Sequence, residues 1–210
     1  MILYVDSDLI VCVKPAGVIS EEKTGGKEAA MPDLLREYFA LNNDKTEVYC
    51  VHRLDAGTRG VMVYARNKKA AAALSESIRQ GLFTKEYEAL VHGNPDCEEG
   101  GTELADYLLK DNAKNKVYVV KSLRKGVKEA RLVYTVKETR GDTTLVRIKL
   151  ITGRTHQIRV QFASRGWPVL GDRRYGAKDD LKTIHLCAVA AEFPHPATGK
   201  NVRFEIESEL

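Results

Sequence analysis

The sequence predicts an α+β domain built on a mixed, largely antiparallel sheet. Three observations support this. At least seven short segments alternate apolar and polar residues or run apolar for four to six positions, as strands do. Helical spacing is confined to a few interspersed stretches. No internal repeat, low-complexity tract or Pro/Gly/Ser-rich linker divides the 210 residues, so 1–210 reads as a single domain. Hydrophobic residues make up 43% and charged residues 30%, the balance of an ordinary globular chain. The first residues, Met-Ile-Leu-Tyr-Val-Asp, lack the basic start and small-residue cleavage site of a signal peptide. No apolar run approaches the ~20 residues that span a bilayer. A cytoplasmic monomer without a membrane partner is the expectation.

Leu3–Val5 and Leu9–Val13 read as two strands joined by the polar turn Asp6-Ser7-Asp8. Lys14-Pro15-Ala16-Gly17 breaks the second strand, and Glu21–Gly26 reads as a loop. Pro32–Phe39 carries apolar residues at helical spacing, with Pro32 suited to a first turn. Val48–Val51 and Val61–Ala65 are strands around the segment 52–60. Lys68–Gln80 is an Ala-rich helix, capped by Asn67 and ended by Gly81. Phe83–Val91 is a strand with Phe83, Lys85, Tyr87 and Ala89 on one face. Between 93 and 129 only Tyr118–Val120 reads as a strand, and the lysine-containing stretch 110–128 reads as a solvated hairpin. Ala130–Val136 and Thr144–Ile151 alternate around the turn Gly141-Asp142, as antiparallel partners do. Thr155–Ser164 is a helix with Ile158 and Phe162 on one face. His185–Ala188 and Phe193–Glu207 supply the last strands.

Two segments stand out chemically. The first, His52-Arg53-Leu54-Asp55-Ala56-Gly57-Thr58-Arg59-Gly60, sets one carboxylate between two arginines in a glycine-containing loop. The second, Thr152-Gly153-Arg154-Thr155-His156-Gln157-Ile158-Arg159, precedes Pro168-Val169-Leu170-Gly171-Asp172 and Tyr175-Gly176. The net charge of +4 is concentrated where these segments lie. Residues 51–85 carry 7 basic and 2 acidic side chains, and residues 140–175 carry 8 and 2. The segments 1–50, 86–139 and 176–210 are each net acidic. A basic face of this kind suits phosphates. The four cysteines, at 12, 50, 97 and 187, stand singly with no C-x-x-C pair, so neither a zinc ribbon nor another metal site is expected.

The two segments together resemble the catalytic motifs of the RluA-type pseudouridine synthases, which carry His-Arg-Leu-Asp and Thr-Gly-Arg-Thr-His-Gln-Ile-Arg in this order. Lys14-Pro15-Ala16-Gly17 and Lys85-x-Tyr87-x-Ala89 resemble two further family motifs. The resemblance implies a bent sheet with a central active-site cleft, in a catalytic domain standing alone without the S4-like domain of some relatives. It implies isomerisation of uridine to pseudouridine in ribosomal or transfer RNA, with no cofactor and RNA as partner. It assigns catalysis to Asp55, Tyr87 and Arg159. Arg53 would fill the gap left by the flipped base, and Arg59, Arg154, Arg173 and Arg174 would contact RNA phosphate. His52 and His156 would orient their motifs as hydrogen-bond donors, and Arg66 is a lesser phosphate candidate. The chain departs from the family at Ala56-Gly57, where many members have Arg-Asp. That change bears on RNA contacts rather than on Asp55.

Elementary chemistry agrees with the resemblance. Breaking a glycosidic bond passes through an oxocarbenium-like state that an adjacent carboxylate stabilises. A hydrolase normally brings two carboxylates, whereas Asp55 alone stands in a suitable setting here. Whether it attacks C1′ or removes a sugar proton is left open by sequence. An ionised carboxylate in a dry site needs a fixed cation, and arginine keeps its charge there. Arg159 is the partner the resemblance gives, with Arg154 as the other choice. Tyr87 would stack on the uracil, although a phenol of pKa ~10 is a poor base unless activated. The alternative function is a non-catalytic RNA-binding domain on the same fold.

Overall fold

The computed structural model describes residues 1–22 and 29–210. The chain divides into two compact units, one of residues 1–85 and 188–208, the other of 86–187 and 209–210. The expected loop at Glu21–Gly26 lies outside the described residues from position 23 onward. The class is α+β, as expected, with largely antiparallel strands and, among the described residues, three α-helices.

In the first unit, β1 (Ile2–Val5) and β2 (Leu9–Lys14) form a hairpin. Its turn is built by Asp6, whose carboxylate accepts the backbone N–H groups of Asp8 and Leu9, both at 2.8 Å. This is the local bond that makes Asp a turn residue. β2 pairs antiparallel with β4 (Arg59–Ala65), in a register running from Leu9–Ala65 to Lys14–Gly60. The two-residue β3 (Tyr49–Cys50) joins the far end of β4. The strand β10 (Leu186–Pro194) enters this unit at Ala188 and pairs with β11 (Asn201–Glu205). Periodicity alone divides β10 in two, because Val189–Glu192 is uniformly apolar until its last residue and carries no alternation. Both of its faces are covered, which removes the need for alternation.

Helix α1 (Met31–Ala40) buries Met31, Leu35 and Phe39, one face at four-residue spacing. Helix α2 (Lys68–Arg79) begins at Asn67, whose side-chain oxygen accepts the Ala70 N–H at 2.8 Å. It buries Ala70 and Leu74 against Val61, Val63, Phe83 and Phe193, the last two rings stacked at 4.8 Å. Full burial of a leucine such as Leu74 contributes about 1.5–3 kcal/mol.

The second unit continues β5 (Thr84–His92) and orders its strands β5, β9 (Thr143–Leu150), β8 (Val127–Arg140), β6 (Thr102–Asp111) and β7 (Lys116–Val120). Each neighbouring pair is antiparallel. The long strand β6 was not expected. Its inward positions Leu104 and Leu108 are separated by Asp106, which breaks the apolar period. In the fold Asp106 is used by α3 (Gln157–Ala163) and the residues after it, accepting from Gln161 Nε2 and Arg165 Nη1, both at 2.8 Å. The helix also starts two residues later than expected. His156 adopts a left-handed backbone, with φ +51°, and stands at the N-cap position without a side-chain capping bond, instead of occupying the first turn. Ile158 and Phe162 are both buried, as their spacing predicted.

Candidate active site

In the first unit, the Asp55 loop hangs from buried side chains of other elements. Ser20 Oγ donates to the Leu54 carbonyl and accepts the Leu54 N–H, both at 2.9 Å. It thereby fixes the residue before the carboxylate in both backbone directions. Tyr64, fully buried in β4, donates its hydroxyl to the Ser20 carbonyl at 2.8 Å. The Thr58 N–H closes a turn onto the Asp55 carbonyl at 3.0 Å. The side chain of Asp55 is half-buried. A loop held at this many points presents its carboxylate with little freedom left to lose on binding.

His52 accepts the Val63 N–H on Nε2 at 3.0 Å and packs against the Phe83 ring at 5.0 Å. Because Nε2 accepts, the ring proton sits on Nδ1, which is buried with no partner among the described residues. Burial, and secondarily the charge of Lys85, holds His52 well below the usual histidine range. The expected donor is therefore corrected to a neutral acceptor, tying the start of the loop to β4.

The residue sequence reading passed over is Lys14. Its side chain is 0% exposed, and its Nζ donates to the carbonyls of Pro15 at 2.8 Å, Val18 at 2.7 Å and Ala56 at 3.1 Å. Ala56 directly follows Asp55, and its carbonyl also accepts the Gly17 N–H at 2.8 Å. Burial pushes the ammonium down to about 8, against the pull of the Asp55 carboxylate, which draws it up. Lys14 is thus a buried cation within electrostatic reach of Asp55. The signal in the sequence was a lysine ending the otherwise apolar run Leu9–Val13, immediately before a proline.

The loop's arginines differ in setting. Arg53 is 68% exposed and pairs with Glu21 at 2.5 Å. Exposed pairs are worth ~0–1 kcal/mol, so this one yields readily to another partner. Arg59 opens β4 and is half-buried. Arg66 is corrected: it is mostly buried, pairs with Asp44, donates to the Asp6 carbonyl at 2.6 Å and to Thr46 at 2.8 Å, and lies over the Phe39 ring. Those bonds absorb it into the fold.

In the second unit, the segment 152–159 is pinned to β8. Gln157 Oε1 accepts from Thr152 Oγ1 at 2.8 Å and the Arg154 N–H at 2.9 Å, while its Nε2 donates to the Arg131 carbonyl at 3.0 Å. Arg154 itself is exposed, with Nε on the Glu129 carbonyl at 2.8 Å. Arg159 is buried, and its Nε and Nη2 grip the two oxygens of Asp172 at 2.6 and 2.9 Å. This bidentate fork orients the guanidinium. Asp172 follows Gly171, where a β-carbon would lie 1.9 Å from the Thr183 carbonyl oxygen, so only glycine allows the turn. Tyr175 is a hub. Its hydroxyl accepts the Val117 N–H at 2.9 Å and shares a hydrogen bond with His156 Nδ1 at 2.9 Å, and the Arg159 guanidinium stands 5.1 Å over its ring. Tyr87 is buried on β5, opposite Ile148 of β9. Arg173 is 66% exposed and Arg174 exposed, the latter donating to the Asn115 carbonyl at 2.5 Å.

Residues 8–164 match a family model described as RNA pseudouridylate synthase. The chain belongs to this family. Among RNA pseudouridylate synthases of known sequence, it is 35% identical over 211 residues to the "Ribosomal large subunit pseudouridine synthase C" of Buchnera aphidicola subsp. Acyrthosiphon pisum (strain APS), covering 96% of this chain. The protein of the same description from Escherichia coli (strain K12) is 32% identical over 215 residues and covers 98% of this chain. The chain spans about 65% of the length of each of these curated relatives. Its fold is similar to the solved structure of "Human RNA Pseudouridylate Synthase Domain Containing 1", with a TM-score of 0.79 and 25% identity, covering 98% of this chain and 82% of that one. The motif residues quoted above up to Arg159 all fall inside the matched span, so the family match covers the Asp55 loop and the 152–159 segment.

Proposed function

We propose that this chain is an RNA pseudouridine synthase that isomerises uridine to pseudouridine with Asp55 as nucleophile. The observation that carries the reading is the setting of Asp55, a half-buried carboxylate on a loop clamped by Ser20, His52 and Lys14. Attack of the carboxylate on C1′ breaks the C1′–N1 bond and leaves the bonding pair on the uracil. The base turns, C5 bonds to C1′ as the carboxylate departs, and the C5 proton is lost to restore conjugation. Atoms and electrons balance without oxidant or reductant. Abstraction of a sugar proton by the same carboxylate is the other route that an ionised Asp55 serves.

Arg159 is the proposed counter-charge in catalysis. Its burial and its fork onto Asp172 support it over Arg154, which is exposed. Tyr87 is proposed to face the uracil. Arg53, whose surface pair is weak, is proposed to replace the flipped base, because extruding a base leaves a gap in the stack. Arg59, Arg154, Arg173 and Arg174, with His156 orienting its motif, make up the remaining RNA contacts. The relatives are named for the ribosomal large subunit, which makes its RNA the first substrate to test, with transfer RNA second. A monomer acting in the cytoplasm completes the proposal; no helix among the described residues is long and apolar enough to cross a membrane.

The test is tritium release from ribosomal and transfer RNA transcripts labelled at uridine C5. Wild type is expected to release tritium, and Asp55→Ala to release none while keeping its melting temperature. An Asp55→Ala protein that turns over normally ends the assignment. Absence of release by wild type, with salt-sensitive RNA binding intact, favours the non-catalytic RNA-binding domain.

A further inference from the structure

The segment 86–139 is nearly neutral as a whole, but its charges are segregated. Residues 86–106 carry 7 acidic and no lysine or arginine side chains, whereas residues 107–128 carry 7 basic and 1 acidic. The basic part runs from the β6–β7 hairpin through the following turn to the first residues of β8. Among the described residues, none of these seven basic side chains is held in an ion pair, and the run 121–126 is exposed throughout. By contrast, Glu86, Glu88, Glu103 and Asp106 are all paired within the unit.

The two faces of the hairpin differ. Leu108 and Val117 point inward and pack with Ala130 and Val160 of α3. On the opposite face, Tyr107 and Tyr118 are 36% and 38% exposed. Tyr107 pairs with Val120 and Tyr118 with Leu109, so the two rings are diagonal neighbours across the strands. β7 ends the strand order of this unit, leaving the face uncovered at an edge. Lys116 Nζ lies 5.7 Å from the Tyr118 ring centroid and 5.5 Å from that of Tyr175, a ring that also has the Arg159 guanidinium 5.1 Å from its centroid. Lys116 therefore links the Tyr118 ring of the uncovered face to Tyr175 of the 152–176 motif.

We propose that this outer face of the β6–β7 hairpin binds single-stranded RNA flanking the modified nucleotide, with Tyr107 and Tyr118 stacking on bases and Lys116, Lys121, Arg124 and Lys125 contacting phosphates. Exposed rings framed by unpaired cations are the means by which single strands are held without sequence preference. A polyanion with unstacked bases satisfies both features at once, whereas an acidic protein would satisfy only the charge. The inference deepens the proposed function and rests on RNA being the substrate.

The test separates the two readings by using a ligand that cannot react. Fluorescein-labelled oligo(A) of twenty nucleotides contains no uridine, and its binding is measured at several salt concentrations. The paired substitutions Tyr107→Ala and Tyr118→Ala are expected to weaken binding by roughly tenfold or more, a stacking-sized loss. Tyr107→Phe with Tyr118→Phe should restore it. Lys121→Gln, Arg124→Gln and Lys125→Gln together should lower the slope of log affinity against log salt by about 2, near 0.7 per phosphate released. Their exposed positions keep that variant folded even if the tyrosine variant is not. The same variants should raise KM for tritium release with kcat unchanged. Wild-type binding and salt slope in both sets of variants, or no oligo(A) binding by wild type, overturns the hairpin proposal whatever the activity. If wild type releases no tritium from any RNA while the variants still lose oligo(A) binding, the catalytic reading fails and the hairpin stands.

Discussion

Lys14→Met is the most informative single change, because the structure sets opposing effects at one buried ammonium. The lysine's pKa falls from 10.5 to about 8 on burial, partly offset by Asp55. At 1.36 kcal/mol per pKa unit, carrying the charge inside costs about 3 kcal/mol at neutral pH. Removing it relieves that cost but strands acceptors. The Ala56 carbonyl keeps the Gly17 N–H, whereas the carbonyls of Pro15 and Val18 lose their Lys14 donor. Each stranded group costs about 1–3 kcal/mol. The net destabilisation at pH 7.5 is therefore small, about −1 to 3 kcal/mol. The pH dependence is more decisive. The folded pKa lies below the unfolded one, so between pH 8 and ~10.5 the unfolded chain binds more protons, and wild-type stability gains with rising pH. Lys14→Met lacks this gain. The stability difference between wild type and variant should grow in favour of wild type by about 3 kcal/mol from pH 7.5 to 10.5, read by urea unfolding followed by circular dichroism. In parallel, wild-type turnover should fall above pH ~8 as the cation near Asp55 is lost, an alkaline limb missing from the variant. A stability difference that stays constant across this range refutes the buried, charged Lys14.

The remaining expectations follow from contacts in each unit. Gly60→Ala places a β-carbon 2.1 Å from the Ala188 carbonyl oxygen at φ +127°, with backbone on the other side of the clash; a fall in stability of 3 kcal/mol or more is expected by thermal melting, and an unchanged melting temperature would contradict it. Asp172→Asn removes the carboxylate that the buried Arg159 fork grips and should cost about 3 kcal/mol, with a fall in kcat as the guanidinium loses its orientation. Unchanged kcat would place Arg159 outside the chemistry. Tyr87→Phe should slow tritium release with a normal melting curve, and equal turnover would reduce Tyr87 to packing on β5.

Much of the fold was legible because its signals are local. Asn67 caps α2 through its own side chain, Asp6 makes its own turn, and Ile158 and Phe162 share a face because helical spacing places them there. The errors lie where a distant partner overrides the local pattern. β6 was missed because Asp106 interrupts its apolar period, and the partners that justify Asp106, Gln161 and Arg165, stand more than fifty residues away. Arg66 looked like a phosphate ligand because nothing nearby in sequence names Asp44 and Thr46 as its partners.

The sequence by itself determined the α+β class, the family, and the residue types at the candidate site, since two long motifs and strand periodicity survive without coordinates. Only the tertiary structure decided the states of those residues. It made His52 an acceptor, turned Lys14 into a buried cation on the Asp55 loop, and locked Arg159 onto Asp172. It also set the Tyr107 and Tyr118 rings as exposed diagonal neighbours on one face of a hairpin, beside a basic run that the sequence shows only as charge. The physical reason is the same in each case. Burial and proximity set protonation, pairing and exposure, and both are properties of neighbours that the chain brings together only by folding.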